Sequence, residues 1–429
     1  MNATMMAAAE SSQISQLIES AERAQTNGRS AEAANLLAEA RSLAPSDPRV
    51  LNALGLQALR ANDLPAARQH LEQSAAQDPR SPVLWLNLAH CRRLQGDAAA
   101  ELAALDQSLA LEPRFYPAVL QKARWLEQHG KPKQAAQLYE VFLHCLPPPA
   151  QVPPQLKSAI EHAQRALSAD RNALGTLIQS RLADTAATNG ARARFDHCID
   201  VLLGRRRVYT SQPTFMHFPR LPAIEFFERR DFPWLDAFEA GTEVMREELL
   251  AVLADPASDA EIVPYVDYPP YKPLDQWRAL NRSRQWRAYY LLKDSVRIES
   301  HLARCPRTAA LLAAAPLADV PGQAPTAFFS MLQPRTRIPP HTGVTNTRLV
   351  VHVPLVLPPG CGFRVGSETR SWELGKAWVF DDTIEHEAWN ESAEPRYILL
   401  IDIWNPLLTD AEREWVRAAT AAIAEYRRE

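Results

Sequence analysis

Four prolines, Pro45, Pro79, Pro113 and Pro147, follow one another at a constant interval of 34 residues, and this period constrains the fold more than any other feature of the chain. A period of this length stacks one small supersecondary unit on the next, because a single unit cannot bury its apolar face alone. Proline supplies no N–H and clashes with the preceding turn, so each proline marks the end of a helix. Ala21, Ala33, Leu37 and Ala40 precede Pro45; Leu51, Leu54, Gly55, Ala67 and Leu71 precede Pro79. Trp85, Leu88, Ala89 and Leu105 precede Pro113, and Ala123, Ala135, Tyr139 and Phe142 precede Pro147. Small residues suit the places where paired helices approach, and large ones fill the groove from the other side. The third unit departs from the pattern, with Glu101 where an alanine is expected.

This register resembles the tetratricopeptide repeat, two antiparallel helices per unit, over residues 14–147 in about four units. The resemblance implies an all-α solenoid whose concave face binds peptides or partner proteins. The string PPPAQVPP at 147–154 breaks the array. A helix from about Gln155 to Ser168 is expected to cap its last apolar face. A further helical pattern runs from Asp170 to Arg207, ending in Arg205, Arg206 and Arg207, which reads as a solvated helix end. Residues 148–208 are thus expected to be capping helices and linker.

With 429 residues the chain is expected to form two or three domains. Its formal net charge of −3 gives no global attraction to nucleic acid or anionic lipid. The N-terminal residues lack the pattern of a secretory signal, and no apolar run is long enough for a membrane-spanning helix. Five scattered cysteines without a CxxC pair argue against a disulfide framework or a structural zinc site. A cytoplasmic protein is the expectation.

From about Phe226 the composition changes. Helical pieces are expected over Trp234 to Leu253 and in parts of Gln276 to Ala315. Short β-rich runs bounded by proline and glycine follow at Ala327–Leu332, Arg348–Leu357, Gly362–Val365, Lys376–Phe380 and Tyr397–Trp404. Many short strands at close spacing suggest a sandwich or jelly roll with the helices outside. Glu412 to Tyr426 reads as a closing amphipathic helix. His341 follows Pro339-Pro340, His352 lies inside a strand, and His386 follows the pair Asp381-Asp382. Histidines on facing strands of such a fold can bring two imidazoles to one metal.

The blocks around these histidines are SMLQPRTRIPPHTGVTNTR at 330–348, VHVPL at 351–355, GCGFRV at 360–365 and WELGK at 372–376. FDDTIEHEAWN at 380–390, DIWNP at 402–406 and the earlier landmark LPAIE at 221–225 complete the set. Together they resemble the aspartyl/asparaginyl β-hydroxylase family over about residues 219–416. The resemblance implies an iron(II)- and 2-oxoglutarate-dependent dioxygenase on a double-stranded β-helix, using O₂, within residues 209–429. By position, His341 and His386 match the iron ligands. The residue two beyond His341, where the usual facial triad has a carboxylate, is Gly343; the family shares this gap, and the resemblance therefore implies a two-histidine site. Arg396 matches the arginine that holds the far carboxylate of 2-oxoglutarate, Ser330 its hydroxyl partner, and His352 a contact of the metal-side carboxylate. An arginine found two residues before that histidine in animal members is Val350 here, and Arg348 lies on the same strand face to cover part of its role.

The structural readings of other residues are plainer. Asp381 and Asp382 suit turn formers or acceptors that orient an imidazole N–H. Trp372, Trp378, Trp389 and Trp404 suit core and rim. Arg278, Arg282, Arg284 and Arg287 suit a solvated helix face, one of which could meet an acidic substrate. The resemblance implies hydroxylation at the β-carbon of Asp or Asn in a peptide or protein that the repeats recruit. Two alternatives remain: a lipid acyl-chain hydroxylase of the same family, and a non-catalytic repeat scaffold.

Overall fold

The computed structural model describes residues 2–183, 189–269, 271 and 275–427, and its chain divides into two compact units meeting at Ile199 and Asp200. Part of the helical pattern expected over Asp170 to Arg207 lies outside the described residues.

The first unit is a series of helix pairs: α1 (Asn2–Thr26) with α2 (Ser30–Leu43), α3 (Pro48–Arg60) with α4 (Leu64–Gln77), α5 (Pro82–Leu94) with α6 (Ala98–Leu111), and α7 (Tyr116–Gln128) with α8 (Pro132–Cys145). Each second helix stops two residues before its proline, because the residue preceding a proline is driven out of the α region. The turns inside the pairs need one left-handed residue each, supplied at Gly28, Asn62, Gly96 and Gly130, again 34 residues apart. Asp47, Asp63 and Asp97 cap the following helices by accepting main-chain N–H groups. Ala33, Ala40, Ala67, Ala89, Ala123 and Ala135 are buried as expected. A side chain at Gly55 would run into Leu71, so glycine lets α3 and α4 close on one another. Glu101 is buried too, and its carboxylate accepts a hydrogen bond from Gln121 Nε2 at 3.2 Å. The capping helix is longer than expected: α9 runs from Lys157 to Leu182 after a 3-10 turn at Pro154–Leu156, since no proline interrupts it. Helix α10 (Asn189–Leu202) follows, and Arg205 and Arg206 beyond its end pair with Asp200.

The second unit begins with α11 (Leu235–Glu239) and α12 (Thr242–Ala254), one expected helix broken at Gly241, where a side chain would strike Leu311. Strands β1 (Val263–Pro264), β2 (Trp286–Lys293) and β3 (Val296–Arg297) come next. They precede α13 (Glu299–Arg304) and α14 (Pro306–Ala314). The region Gln276 to Ala315 is therefore only half helical, because Trp-Arg-Ala-Tyr-Tyr-Leu-Leu-Lys is aromatic-rich and fits a buried strand better than a helix. The remaining strands are β4 (Ala327–Leu332), β5 (Thr336–His341), β6 (Arg348–Val356), β7 (Cys361–Val365), β8 (Glu368–Arg370), β9 (Trp378–Phe380), β10 (His386–Asn390) and β11 (Arg396–Trp404), followed by α15 (Asp410–Tyr426). A capping box between Thr409 and Glu412 starts α15.

Two antiparallel sheets result. The larger has the order β1-β2-β4-β11-β6-β9 with β3 beside β2, and the smaller β5-β10-β7-β8. Alternation sorts the side chains of the larger sheet into two cores. Leu349, Val351 and Val353 of β6 and Leu399, Ile401 and Ile403 of β11 face the helices, meeting Met245 and Leu249 of α12 and Leu312 of α14. Val350 and Ile398 face the other way, meeting Ile338, Phe363 and Ala388 of the smaller sheet. A cavity opens in this second layer. Arg282 pairs with Asp267, and Arg284 and Arg287 with Asp259, from a loop and β2 rather than from a helix face.

Candidate active site

The two sheets enclose a cavity of about 580 Å³. His341, His386, Ser330, Arg348, His352 and Arg396 all line it, so the fold brings together all six residues singled out from the sequence. Strand pairing explains the first two. His341 ends β5, His386 begins β10, and they are direct partners across that antiparallel pair, with ring centroids 4.0 Å apart and planes tilted by 52°. Neither strand was evident locally: β5 contains Pro339-Pro340, and β10 is short and charged. Prolines are tolerated in β5 because it is an edge strand of its sheet.

Each ring is oriented by the main chain. His341 Nδ1 donates to the Pro339 carbonyl at 2.8 Å and His386 Nδ1 to the Ile384 carbonyl at 3.0 Å. A carbonyl only accepts, so both rings carry the proton on Nδ1 and keep the lone pair on Nε2. Of the two roles expected for Asp381 and Asp382, turn former or acceptor orienting an imidazole, the second is corrected: backbone carbonyls two residues upstream orient the rings. Asp381 instead accepts from Thr383 and Ser211, fixing the turn before β10. Burial holds His341 below the usual imidazole range, and burial together with the neighbouring His341 holds His386 well below it. Both rings are neutral at neutral pH, the form that ligates a metal. Trp277 stands edge-on to His341 at 4.9 Å.

The opposite wall is the larger sheet. Ser330 of β4 is buried and its Oγ accepts from Trp286 Nε1 at 3.0 Å. His352 of β6 is packed between Phe363 and Phe380, and its Nδ1 has no hydrogen-bond partner among the described residues. Burial and the nearby Arg396 keep it neutral. Arg396 is 1% exposed, lies over the Trp372 ring at 5.0 Å, and leaves Nε and Nη1 without partners. Burial lowers its pKa to about 10, so it remains a cation at neutral pH. A buried charge without a counter-charge is costly, and a carboxylate is the group whose geometry completes a guanidinium fork.

Arg348, Val350 and His352 share the cavity face of β6, as alternation requires. Arg348, however, is engaged: its Nη1 bonds Asp402 Oδ2 at 2.9 Å and the Gln323 carbonyl at 3.2 Å. Asp382 is the lining residue whose place the sequence did not signal. Its carboxyl group stands against Gly343, so closely that any side chain at position 343 would overlap it. Oδ1 has no hydrogen-bond partner among the described residues, and burial, opposed by Arg348, lifts the pKa to about 7. The carboxyl group thus fills the space into which a residue two beyond His341 would otherwise point. Among the described residues no group of three or more His, Cys, Asp or Glu is placed to hold a metal ion.

The donor set suits a transition metal: two neutral imidazoles with free Nε2 lone pairs on one side, and on the other a buried guanidinium awaiting an anion. Residues 239–406 match the family model described as aspartyl/asparaginyl beta-hydroxylase. The match lies within the second unit. The mouse aspartyl/asparaginyl beta-hydroxylase is 37% identical over 136 residues, covering 31% of this chain and 18% of that protein. The ornithine lipid ester-linked acyl 2-hydroxylase of Rhizobium tropici is 30% identical over 199 residues, 46% of this chain and 66% of that one. The aspartate beta-hydroxylase domain-containing protein 2 of Xenopus tropicalis is 31% identical over 207 residues, 47% and 53% respectively. The chain spans about a fifth of the length of the mouse hydroxylase. Among solved structures, a tetratricopeptide protein of Thermus thermophilus aligns with 43% of this chain and 98% of its own, at 17% identity and a TM-score of 0.31. No helix among the described residues is long and apolar enough to cross a membrane.

Proposed function

We propose that the hydroxylase domain is an iron(II)- and 2-oxoglutarate-dependent dioxygenase acting on the β-carbon of Asp or Asn in a peptide or protein. The observation that carries the reading is the partnered His341–His386 pair facing a cavity whose far wall holds Arg396, with Nε and Nη1 free of hydrogen-bond partners among the described residues. His341 and His386 would hold the iron through Nε2. Arg396 and Ser330 would take the far carboxylate of 2-oxoglutarate, with His352 beside the near one. When bound, iron(II), 2-oxoglutarate and O₂ supply the oxidising power to place one oxygen atom on an unactivated C–H bond.

The chain's own residues bind, orient and exclude water. The Pro339 and Ile384 carbonyls fix the rotation of the two imidazoles, and neutral rings keep the lone pairs ready without loss of a proton. Trp286, Trp277, Phe363 and Phe380 wall the cavity and hold water away from the reacting centre. With no carboxylate beside the histidines apart from Asp382, much of the charge on the metal would be balanced by the anionic cosubstrate. Metal retention is therefore expected to depend on 2-oxoglutarate.

The names of the mouse and Xenopus relatives support a polypeptide substrate, and the helical repeats are suited to recruiting one. A second reading, hydroxylation of a lipid acyl chain, is favoured by one observation. Aromatic and aliphatic residues such as Tyr265, Trp277 and Val344 line the cavity, while Arg348 is occupied by Asp402.

The test is succinate formation from 2-oxoglutarate by the whole protein with added iron(II). His341→Ala and His386→Ala are each expected to lower turnover at least a hundredfold while the circular dichroism spectrum is kept. Arg396→Met is expected to weaken 2-oxoglutarate binding at least tenfold, since it removes a charge-assisted contact. Succinate formation untouched by these substitutions would overturn the reading. Mass spectrometry of Asp- and Asn-containing peptides against acyl lipids, scored for one added oxygen, separates the two substrates.

A further inference from the structure

His341 is the last residue of β5 and His386 the first of β10, so each ring stands at the end of its ladder. The loop beside it, and not a further rung, sets its place. Those loops, 342–347 and 381–385, contain no helix and no strand of the two sheets. One hydrogen bond joins them directly, from the Gly343 N–H to the Asp382 carbonyl at 2.6 Å. Further ties come from a third segment, residues 209–218.

This segment crosses both loops. Ser211 Oγ donates to Asp381 Oδ2 at 2.8 Å and the Gln212 N–H to the Thr383 carbonyl at 2.7 Å, which fastens the turn before His386. Thr214 then donates to the Gly343 carbonyl twice, through its N–H at 3.0 Å and its hydroxyl at 3.2 Å. The N–H groups of Phe215 and Met216 reach the Val344 carbonyl at 3.0 and 3.2 Å, and Met216 forms a parallel bridge with Thr345. Asn346 closes the series: its Oδ1 accepts from the Phe218 N–H at 2.7 Å and its Nδ2 donates to the Phe218 carbonyl at 2.9 Å. Both ends of the segment are anchored in apolar packing. Tyr209 packs against the cluster that holds Phe363 and Ile384, and Met216 and Phe218 against that of Trp404 and Val416. A segment fixed at both ends and bonded to two loops in between holds those loops at a set spacing. It also precedes residues 239–406, so the tie lies outside what the family match covers.

We propose that residues 209–218 are a strap for the metal site: Ser211 and Thr214, as positioning residues acting through Asp381 and Gly343, hold His386 and His341 at the spacing that one metal ion requires. The inference rests on the reading of the histidine pair as the iron site. Metal–ligand distances tolerate only about 0.2 Å, so a small drift of either loop weakens the site without unfolding the domain.

The experiment titrates cobalt(II) chloride into the full chain with 2-oxoglutarate present, read by the visible absorption of the bound ion. His341→Ala is expected to abolish the signal, which assigns it to the pair. Ser211→Ala and Thr214→Val are each expected to weaken cobalt(II) binding about tenfold, the low end of what the loss of an orienting partner costs, and the double variant by more than either. Ser211→Thr keeps the hydroxyl and is expected to bind as the wild type does. Ser211 is half-buried and Thr214 exposed, so the variants are expected to keep the wild-type urea midpoint without metal, which separates positioning from loss of fold. Wild-type affinity in the double variant, or a loss of binding matched by an equal loss of metal-free stability, would overturn the proposal. A wild-type protein with no cobalt(II) signal that depends on His341 would overturn the hydroxylase reading itself, and the role of the strap with it.

Discussion

Replacing Gly343 by alanine probes the closest packing in the active site. The added methyl group would land on the Asp382 carboxyl group. Relief by main-chain movement is opposed, because the Gly343 N–H donates to the Asp382 carbonyl at 2.6 Å and Thr214 N donates to the Gly343 carbonyl at 3.0 Å. The φ of Gly343 is not in the left-handed region, so alanine carries no backbone penalty there and the cost is steric. Overpacking of this kind costs about 1–3 kcal/mol. In a unit of this size each kcal/mol moves the midpoint by about 2–4 °C, so Tm is expected to fall by about 2–12 °C. Asp382→Ala removes a half-buried carboxyl group whose enclosed Oδ1 has no hydrogen-bond partner among the described residues, and is expected to be close to neutral or stabilising. In the double variant the methyl group finds empty space, so the coupling energy should return most of the Gly343→Ala loss. The assay is urea unfolding of the four proteins followed by tryptophan fluorescence. Wild-type stability in Gly343→Ala, or losses that simply add in the double variant, would refute the reasoning that Asp382 fills the place of a residue-343 side chain.

Arg348→Met leaves the Asp402 carboxylate buried without its cation and is expected to cost about 3–5 kcal/mol, whereas Arg348→Met with Asp402→Leu should recover most of it. Equal losses in the single and double variants would show that the pair is not the source. Glu248 of α12 accepts from the main-chain N–H groups of Arg307 and Thr308 and from the Thr308 hydroxyl, closing the start of α14. Burial alone would raise its pKa, but these hydrogen bonds outweigh it and the net shift is downward. A depressed carboxylate stabilises above its unfolded-state pKa and loses that contribution as pH falls through the folded value. Glu248→Gln is therefore expected to cost about 2 kcal/mol at pH 7. The gap from wild type should begin to narrow as pH falls below the unfolded-state carboxyl value of about 4.3 and go on narrowing through the depressed folded value. A gap that stays constant over that range in denaturation at several pH values would contradict the assignment.

The sequence by itself determined the repeat array, because the signal is local and recurs. Prolines, alanines and turn residues at one interval each act on their own helix, and four copies leave no other register. It also determined most strands of the larger sheet, where buried β-branched and aromatic residues run together, as in Ala327–Leu332. Tertiary structure decided the site. The strands that carry His341 and His386 have weak local character, and their pairing depends on contacts between segments far apart in the chain. The strand at Trp286–Lys293 was hidden for the same reason, since a short apolar run fits a buried helix as well as a strand until its neighbours are known. The identities of the six lining residues were legible through the family's sequence blocks in or near which they stand, not from their residue types alone. Their states were not: Arg348 is committed to Asp402, Arg396 is left unpartnered, and Asp382 occupies the space beside Gly343. Charge, burial and free space are properties of what surrounds a side chain, and only the folded packing brings those surroundings together.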